Sequence, residues 1–182
     1  MTNRPLLPWP SAELVRVADD DLPTNLRADL PAILVPTSML GIKPDQTATV
    51  VSGPDGQLLV AFAHDLSMAL CLDPNSGHVV ELVLDPRDGT VTNGPILVNS
   101  SLSHFTATFT EAIRRFPFHP DDADMDETQA AADELRSHLS PIDPPAWQQV
   151  DGFWDDLYWS VGMGDYAPSW FESPDRPGPD PN

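Results

Sequence analysis

The residues of this sequence that could carry out catalysis do not occur at the spacings that catalytic sites use. The five histidines form no HExxH motif, and none has a second histidine or a cysteine at ligand spacing: His64, His78, His104, His119 and His138. Ser100 and Ser101 precede His104, an order that a nucleophile and its base could use. Serine before an apolar helical stripe is also the usual N-cap, and we interpret Ser100 or Ser101 in that way. The pattern favours a protein that is not an enzyme.

Four aspartates resemble a calcium-binding loop, but only in part. Asp122, Asp124, Asp126 and Asp133 occupy positions 1, 3, 5 and 12 of a twelve-residue loop. The sixth position, where such loops need glycine, is Glu127. We therefore interpret these carboxylates as charge at the start of a helix, with an acidic contact surface as the alternative. We expect neither a metal nor another cofactor.

The last third of the sequence combines aromatic rings with carboxylates. Aromatic rings cluster within 25 residues, among them Trp147, Trp154, Tyr158, Trp159, Tyr166, Trp170 and Phe171. Asp155 and Asp156 would point to different sides of a helix, so they form a poor acid–base pair. On that helix Trp154 can face the core while Asp155 and Trp159 point elsewhere. Aromatic rings exposed among carboxylates are typical of a surface that binds a cationic protein.

Charge is the strongest compositional signal. The chain has 28 acidic and 9 basic residues, a net charge of −19. Residues 117–182 contain 15 acidic and 2 basic residues, which gives −13 for that part alone. Such a field repels nucleic acid and anionic membranes and attracts cationic proteins, although it could also serve solubility alone. The candidate partner-binding residues are Asp121, Asp122, Asp124, Asp126, Asp151, Asp155, Asp156 and Trp159.

The remaining pattern predicts one α+β domain. Short apolar segments separated by turns predict antiparallel strands over 47–51, 58–63, 68–72, 78–84 and 95–98. Helical periodicity then predicts helices from 102 to 116, 124 to 139 and 152 to 161. Proline-rich segments predict loose tails over 1–10 and 172–182, which leaves a domain over 11–171.

Two further features concern the environment of the protein. Cys71 is the only cysteine, so an internal disulfide is excluded, and its apolar segment predicts a buried thiol. Residues 1–10 lack the apolar segment of a signal peptide, and no segment approaches the length needed to cross a bilayer. We therefore expect a cytoplasmic protein; the sequence does not indicate its oligomeric state.

Three segments resemble the SUKH superfamily of bacterial immunity proteins, in particular its fourth subgroup. Residues 70–80, LCLDPNSGHVV, are similar to the hairpin of that family, and residues 97–105, LVNSSLSHF, to its strand-to-helix junction. Residues 152–166, from Gly-Phe-Trp to Gly-Asp-Tyr, are similar to its C-terminal helix. The resemblance covers about 50–170. The Gly-rich turn that usually precedes the hairpin is replaced here by residues 63–67, AHDLS.

The resemblance implies both a fold and a function. The fold is a single α+β domain with a mixed, largely antiparallel sheet flanked by helices. The function is non-enzymatic: members bind and neutralise toxins delivered between competing bacteria, often nucleases. A nuclease needs a positive surface for phosphate, so the acidic charge of this chain suits a basic nuclease-type toxin as partner. Because some relatives are regulatory or scaffold proteins, an interaction module of the same fold is the alternative.

Overall fold

A computed structural model describes residues 6–28, 30–149 and 152–171. Seven strands and four α-helices make up the fold, with two short 3-10 helices at Pro144–Gln148 and Pro168–Trp170. The strands are β1 (Ser11–Arg16), β2 (Leu34–Ser38), β3 (Lys43–Ser52), β4 (Leu58–His64), β5 (Met68–Leu72), β6 (Val79–Leu84) and β7 (Val91–Asn99). The helices are α1 (Thr24–Arg27), α2 (Leu102–Arg115), α3 (Met125–Leu139) and α4 (Phe153–Gly162). The predicted α+β class is confirmed.

The main sheet is an antiparallel meander in the order β3-β4-β5-β6-β7. Each strand pairs with its neighbour in sequence because only a short turn separates them, as the sequence predicts. Strands β1 and β2 form a second, two-stranded antiparallel sheet that the sequence analysis missed. The only parallel pairings in the described residues are isolated bridges, Leu7 with Phe171 and Ala18 with Thr47, so the sheets themselves are antiparallel rather than mixed.

The helices cover one face of the main sheet, where most of the core lies. Phe109 of α2 is fully buried and its ring contacts Phe105, Phe153 and Trp154 at centroid distances of 4.8 to 5.6 Å. The opposite face carries a smaller apolar cluster that includes Cys71, which is buried as predicted. Burial raises the pKa of the Cys71 thiol to about 12, so the thiol stays protonated and unreactive.

Side-chain caps fix the starts of α2 and α3. Ser101 is the N-cap of α2, and its hydroxyl accepts a hydrogen bond from the backbone N–H of His104 at 3.1 Å. Asp124 is the N-cap of α3 and forms a reciprocal capping box with Glu127. Each cap satisfies amide groups that a helix start otherwise leaves unpaired. Both helices therefore begin where the sequence predicts.

Residues 6–10 pack against the domain, although the sequence analysis placed them in a loose tail. Leu7 donates its backbone N–H to the carbonyl oxygen of Trp170 at 2.9 Å. The ring of Trp9 packs edge-on against Phe116 and Phe171. Burial of these apolar side chains outweighs the loss of donors at the neighbouring prolines. The rest of the predicted tails, residues 1–5 and 172–182, lies outside the described residues.

Candidate functional site

A groove of about 820 Å³ opens where the helix-covered face of the main sheet meets α4. Its walls come from the β2–β3 turn, the β4–β5 turn, α4 and residues 165–170. Phe109 lines the groove although it is fully buried, so this ring lies at its base. Phe153 and Leu157 of α4 extend the apolar lining. The groove is thus bounded by segments that are distant in sequence.

The β4–β5 turn is held in place by the side chain of Asp65. One of its carboxylate oxygens, Oδ1, accepts hydrogen bonds from the backbone N–H groups of Ser67 and Met68, at 2.7 and 2.9 Å, and from the Ser67 hydroxyl. An aspartate side chain therefore organises the backbone of this turn. Asp65 therefore has a fixed position at the rim of the groove.

The β2–β3 turn forms a second wall and needs an unusual backbone conformation. Leu40 and Gly41 both have positive φ values, +54° and +105°. A Cβ atom at Gly41 would lie 3.4 Å from the side chain of Leu7, so glycine allows both the dihedral angle and the close approach. Met39 and Ile42 close the turn through two backbone hydrogen bonds.

Among the charged residues that line this groove, Glu81 lies in the central part of the main sheet. It lies on β6, opposite Leu70 of β5 and Ile96 of β7, and is partly buried. Burial, together with the negative charges of Asp156 and Asp65, raises the pKa of Glu81 to about 7. Within the described part of the chain, no group donates a hydrogen bond to this carboxylate. Among the residues that the structure describes, Glu81 therefore forms neither a hydrogen bond nor an ion pair.

Acidic groups outnumber basic ones around the groove. The carboxylates in its lining are Asp65, Glu81, Asp156 and Asp165, and the basic side chains are Lys43 and His64. His64 is in direct contact with the carboxylate of Asp45, which offsets its charge whenever its ring is protonated. The groove thus combines an apolar base with a negative rim, an arrangement that suits a cationic group with an apolar stem.

The predicted acidic residues before and within α3 have different structural roles. Asp124 caps the helix, so its carboxylate is engaged by backbone amides. Asp121 accepts a hydrogen bond from the backbone N–H of Ser169 at 2.8 Å and so anchors the segment that carries Trp170. Asp122 and Asp126 are exposed. Asp151, also predicted, lies outside the described residues.

The predicted residues on α4 point in two directions. Trp154 is fully buried and donates its indole N–H to the carbonyl oxygen of Val98 at 2.9 Å. Trp159 is the exposed ring of this helix, with 56% of its surface accessible, and Met163, one turn later, is 70% exposed. Asp155 is half-buried, and Asp156 lines the groove. Of the predicted site residues that the structure describes, Asp156 alone lies in the groove lining.

Three groove carboxylates were missed by sequence reasoning: Asp65, Glu81 and Asp165. A signal existed for Glu81, because it interrupts the otherwise apolar strand VVELVL. Residues two apart on a strand share a face, so Glu81 faces the same side as the buried Val79. Asp65 carries no comparable signal, since it lies in a turn.

The Ser100–His104 pair belongs to a structural network at the β7–α2 junction. Ser100 Oγ lies 2.8 Å from Asp143 Oδ1 and 2.9 Å from His104 Nδ1. Asp143 is buried and also accepts hydrogen bonds from Asn99 Nδ2 and the backbone N–H of Ser100. Burial alone would raise the pKa of Asp143, but these hydrogen bonds outweigh it and hold the pKa below its ordinary value. The Ser100 hydroxyl has one hydrogen to donate and donates it to the ionised Asp143. It therefore does not donate a hydrogen bond to the His104 imidazole.

The family model described as SUKH-4 immunity protein matches residues 13–159. The chain belongs to the SUKH-4 immunity protein family. The match runs from β1 to within α4 and includes Asp65, Glu81 and Asp156, so most of the groove belongs to the SUKH-4 domain. Neither the curated proteins nor the solved structures include a significant match.

Among residues 6–28, 30–149 and 152–171, no group of three or more histidine, cysteine or carboxylate side chains is arranged to hold a metal ion. The helices in the same residues are all too short or too polar to cross a bilayer.

Proposed function

We propose that this SUKH-4 protein neutralises a basic, nuclease-type toxin domain by binding it, without chemical modification of the toxin. Membership of the SUKH-4 immunity protein family supports toxin immunity as the general function. The chemistry of the partner follows from charge. A nuclease must present a positive surface to phosphate groups, and a chain with a net charge of −19 is attracted to such a surface.

The observation that carries this proposal is the acidic groove. Most surface carboxylates of a soluble domain contribute only to solvation, and the exposed Asp122 and Asp126 could do so. Glu81 differs because it is partly buried beside two other carboxylates, where its charge is unfavourable for the free protein. A cationic partner would remove that unfavourable interaction, which a solubility role does not explain.

The test uses the toxin domain encoded beside this gene, purified as a catalytically inactive variant. We expect isothermal titration calorimetry to give a 1:1 complex whose affinity falls as salt rises, because the attraction between the charges is screened. With the active toxin, we expect nuclease activity to fall in proportion to complex formed, and the intact mass of the toxin to stay unchanged. No complex with an adjacent toxin would refute the proposal and favour a regulatory or scaffold module. A change in the mass of the toxin would indicate an enzyme.

A further inference from the structure

We propose that the groove beside α4 is a socket for one basic side chain of the partner, an arginine or a lysine, whose cation binds against Glu81. This inference rests on the proposed function, because it names the part of the toxin that the groove would hold. The groove of the free protein should therefore bind a cationic side chain even without the rest of the toxin.

The lining of the groove suits such a side chain. The base is apolar, with Phe109 fully buried and Phe153 and Leu157 beside it. Arginine and lysine have apolar stems that pack on surfaces of this kind while the charged head group reaches polar groups. Glu81 lies in the lining with no hydrogen-bond donor among the described residues, so its carboxylate can accept from a guanidinium or ammonium group.

Charge complementarity selects this occupant over others. An anionic side chain would meet Asp65, Glu81 and Asp156, and a purely apolar one would leave these three carboxylates poorly solvated. A cation is attracted to all three, and most of all to the partly buried Glu81. The two charges that act most on Glu81 are both negative, and among the described residues no cation forms an ion pair with it.

Occupation of the socket changes the protonation of Glu81. Free Glu81 is largely protonated below pH 7, and a bound cation favours the charged form. Binding therefore releases a proton, and affinity should rise as pH increases through 7. The other charged groups in the lining are Lys43 on β3, His64 at the end of β4, Asp65 in the turn, Asp156 on α4 and Asp165 after α4.

Of these groups, His64 requires a separate control. A positive charge on His64 would repel a bound cation. The variant His64→Gln removes this contribution and should leave most of the pH dependence in place. The variant Glu81→Gln should remove most of it. Comparing the two variants shows whether Glu81 or His64 causes the pH dependence of binding.

The first experiment needs no toxin. The probe is the peptide acetyl-Gly-Arg-Gly-amide, followed by NMR chemical shifts of the full-length protein, with the citrulline peptide as the uncharged match. We expect weak, saturable shifts at Phe153 and Trp170 with the arginine peptide only, and at least fivefold weaker binding to Glu81→Gln at pH 8. Glu13→Gln, an exposed glutamate on β1 outside the groove, is the matched control and should bind normally. Shifts confined to the start of α3, or equal affinity for Glu81→Gln, would overturn the proposal.

The second experiment separates this inference from the proposed function. With the inactive toxin domain at pH 8, we expect Glu81→Gln to bind at least tenfold more weakly than the wild type, because one partner of an enclosed charge pair is lost. Tight toxin binding by Glu81→Gln would leave the immunity function standing and refute the socket as the toxin site. Failure of the wild type to bind the toxin would refute the proposed function, while the peptide experiment would still decide whether the socket exists.

Discussion

Glu81→Gln should stabilise the free protein at pH 8 and leave its stability almost unchanged at pH 4. In the folded state the pKa of Glu81 is about 7, against an ordinary value of 4.5. The folded protein therefore holds the Glu81 proton more tightly than the unfolded chain does. By linkage, Glu81 lowers stability progressively as pH rises from about 4.5 to about 7, and this destabilisation persists above that range.

The size of the effect follows from the two pKa values. At about 1.36 kcal/mol for each unit of pKa, the difference corresponds to about 3 kcal/mol. Water reaches part of the carboxylate and weakens its interaction with Asp65 and Asp156, so we expect about 2 kcal/mol. Glutamine has nearly the same shape as glutamate and carries no charge, and no hydrogen bond to Glu81 within the described residues is lost. The whole gain should therefore appear at pH 8.

The measurement is urea unfolding at pH 4 and pH 8. For an m-value of about 2 kcal/mol per molar urea, the midpoint of Glu81→Gln should lie about 1 M above that of the wild type at pH 8. At pH 4 the two midpoints should coincide. Glu13→Gln, whose side chain is exposed on β1, should stay within about 0.5 kcal/mol of the wild type at both pH values.

Two results would refute this reasoning. An equal gain at pH 4 and pH 8 would show that glutamine packs better than glutamate, with no contribution from charge. No gain at pH 8 would show that Glu81 is well solvated or already paired with a cation, and the case for a socket at this position would fail with it.

The remaining predictions concern the core, a helix cap and the acidic surface. Phe109→Ala should lower the free energy of unfolding by about 3–5 kcal/mol, because the ring is fully buried; an unchanged urea midpoint would exclude that role. Ser101→Ala removes the cap of α2 and should lower the free energy of unfolding by about 0.5–2 kcal/mol, while the folded variant should still neutralise the toxin. Loss of neutralisation would indicate a direct role for the hydroxyl. Replacing Asp122 and Asp126 with asparagine should slow association with the toxin and flatten its salt dependence in stopped-flow measurements between about 50 and 500 mM salt. An association rate equal to that of the wild type at every salt concentration would show that these two charges only solvate the surface.

Much of the fold is predictable because its pairings are local. Strands β4, β5 and β6 are compact apolar segments separated by turns, and each pairs with its neighbour along the chain. The helix starts are equally local, since Ser101 and the Asp124–Glu127 capping box lie within one turn of the amides they satisfy. Strands β1 and β2 were missed for the opposite reason. Pro36 interrupts the pattern of β2, and β1 is largely exposed, so neither carries a strong apolar alternation.

The groove is less predictable because it depends on contacts between distant segments. In the sequence, acidic residues near aromatic ones point to α4 and the start of α3. Asp156 is among these residues, but Asp65 and Glu81 lie more than 70 residues before it in sequence. They reach the groove only because the meander brings the β4–β5 turn and the middle of β6 against α4. Periodicity shows which face of a strand is buried, but not which helix will cover that face or leave a gap.

The exposed acids and the groove carboxylates are suited to different steps of binding. Asp122 and Asp126 lie on the surface, where charge acts over distance, is screened by salt and mainly changes the association rate. Glu81 is partly buried and acts only on a group that has entered the groove, so its loss should mainly raise the dissociation rate. Solubility alone would account for the first group of acids. It does not account for a carboxylate that destabilises the free protein at neutral pH, and a cationic side chain from a partner does, because it converts that unfavourable charge into a favourable contact.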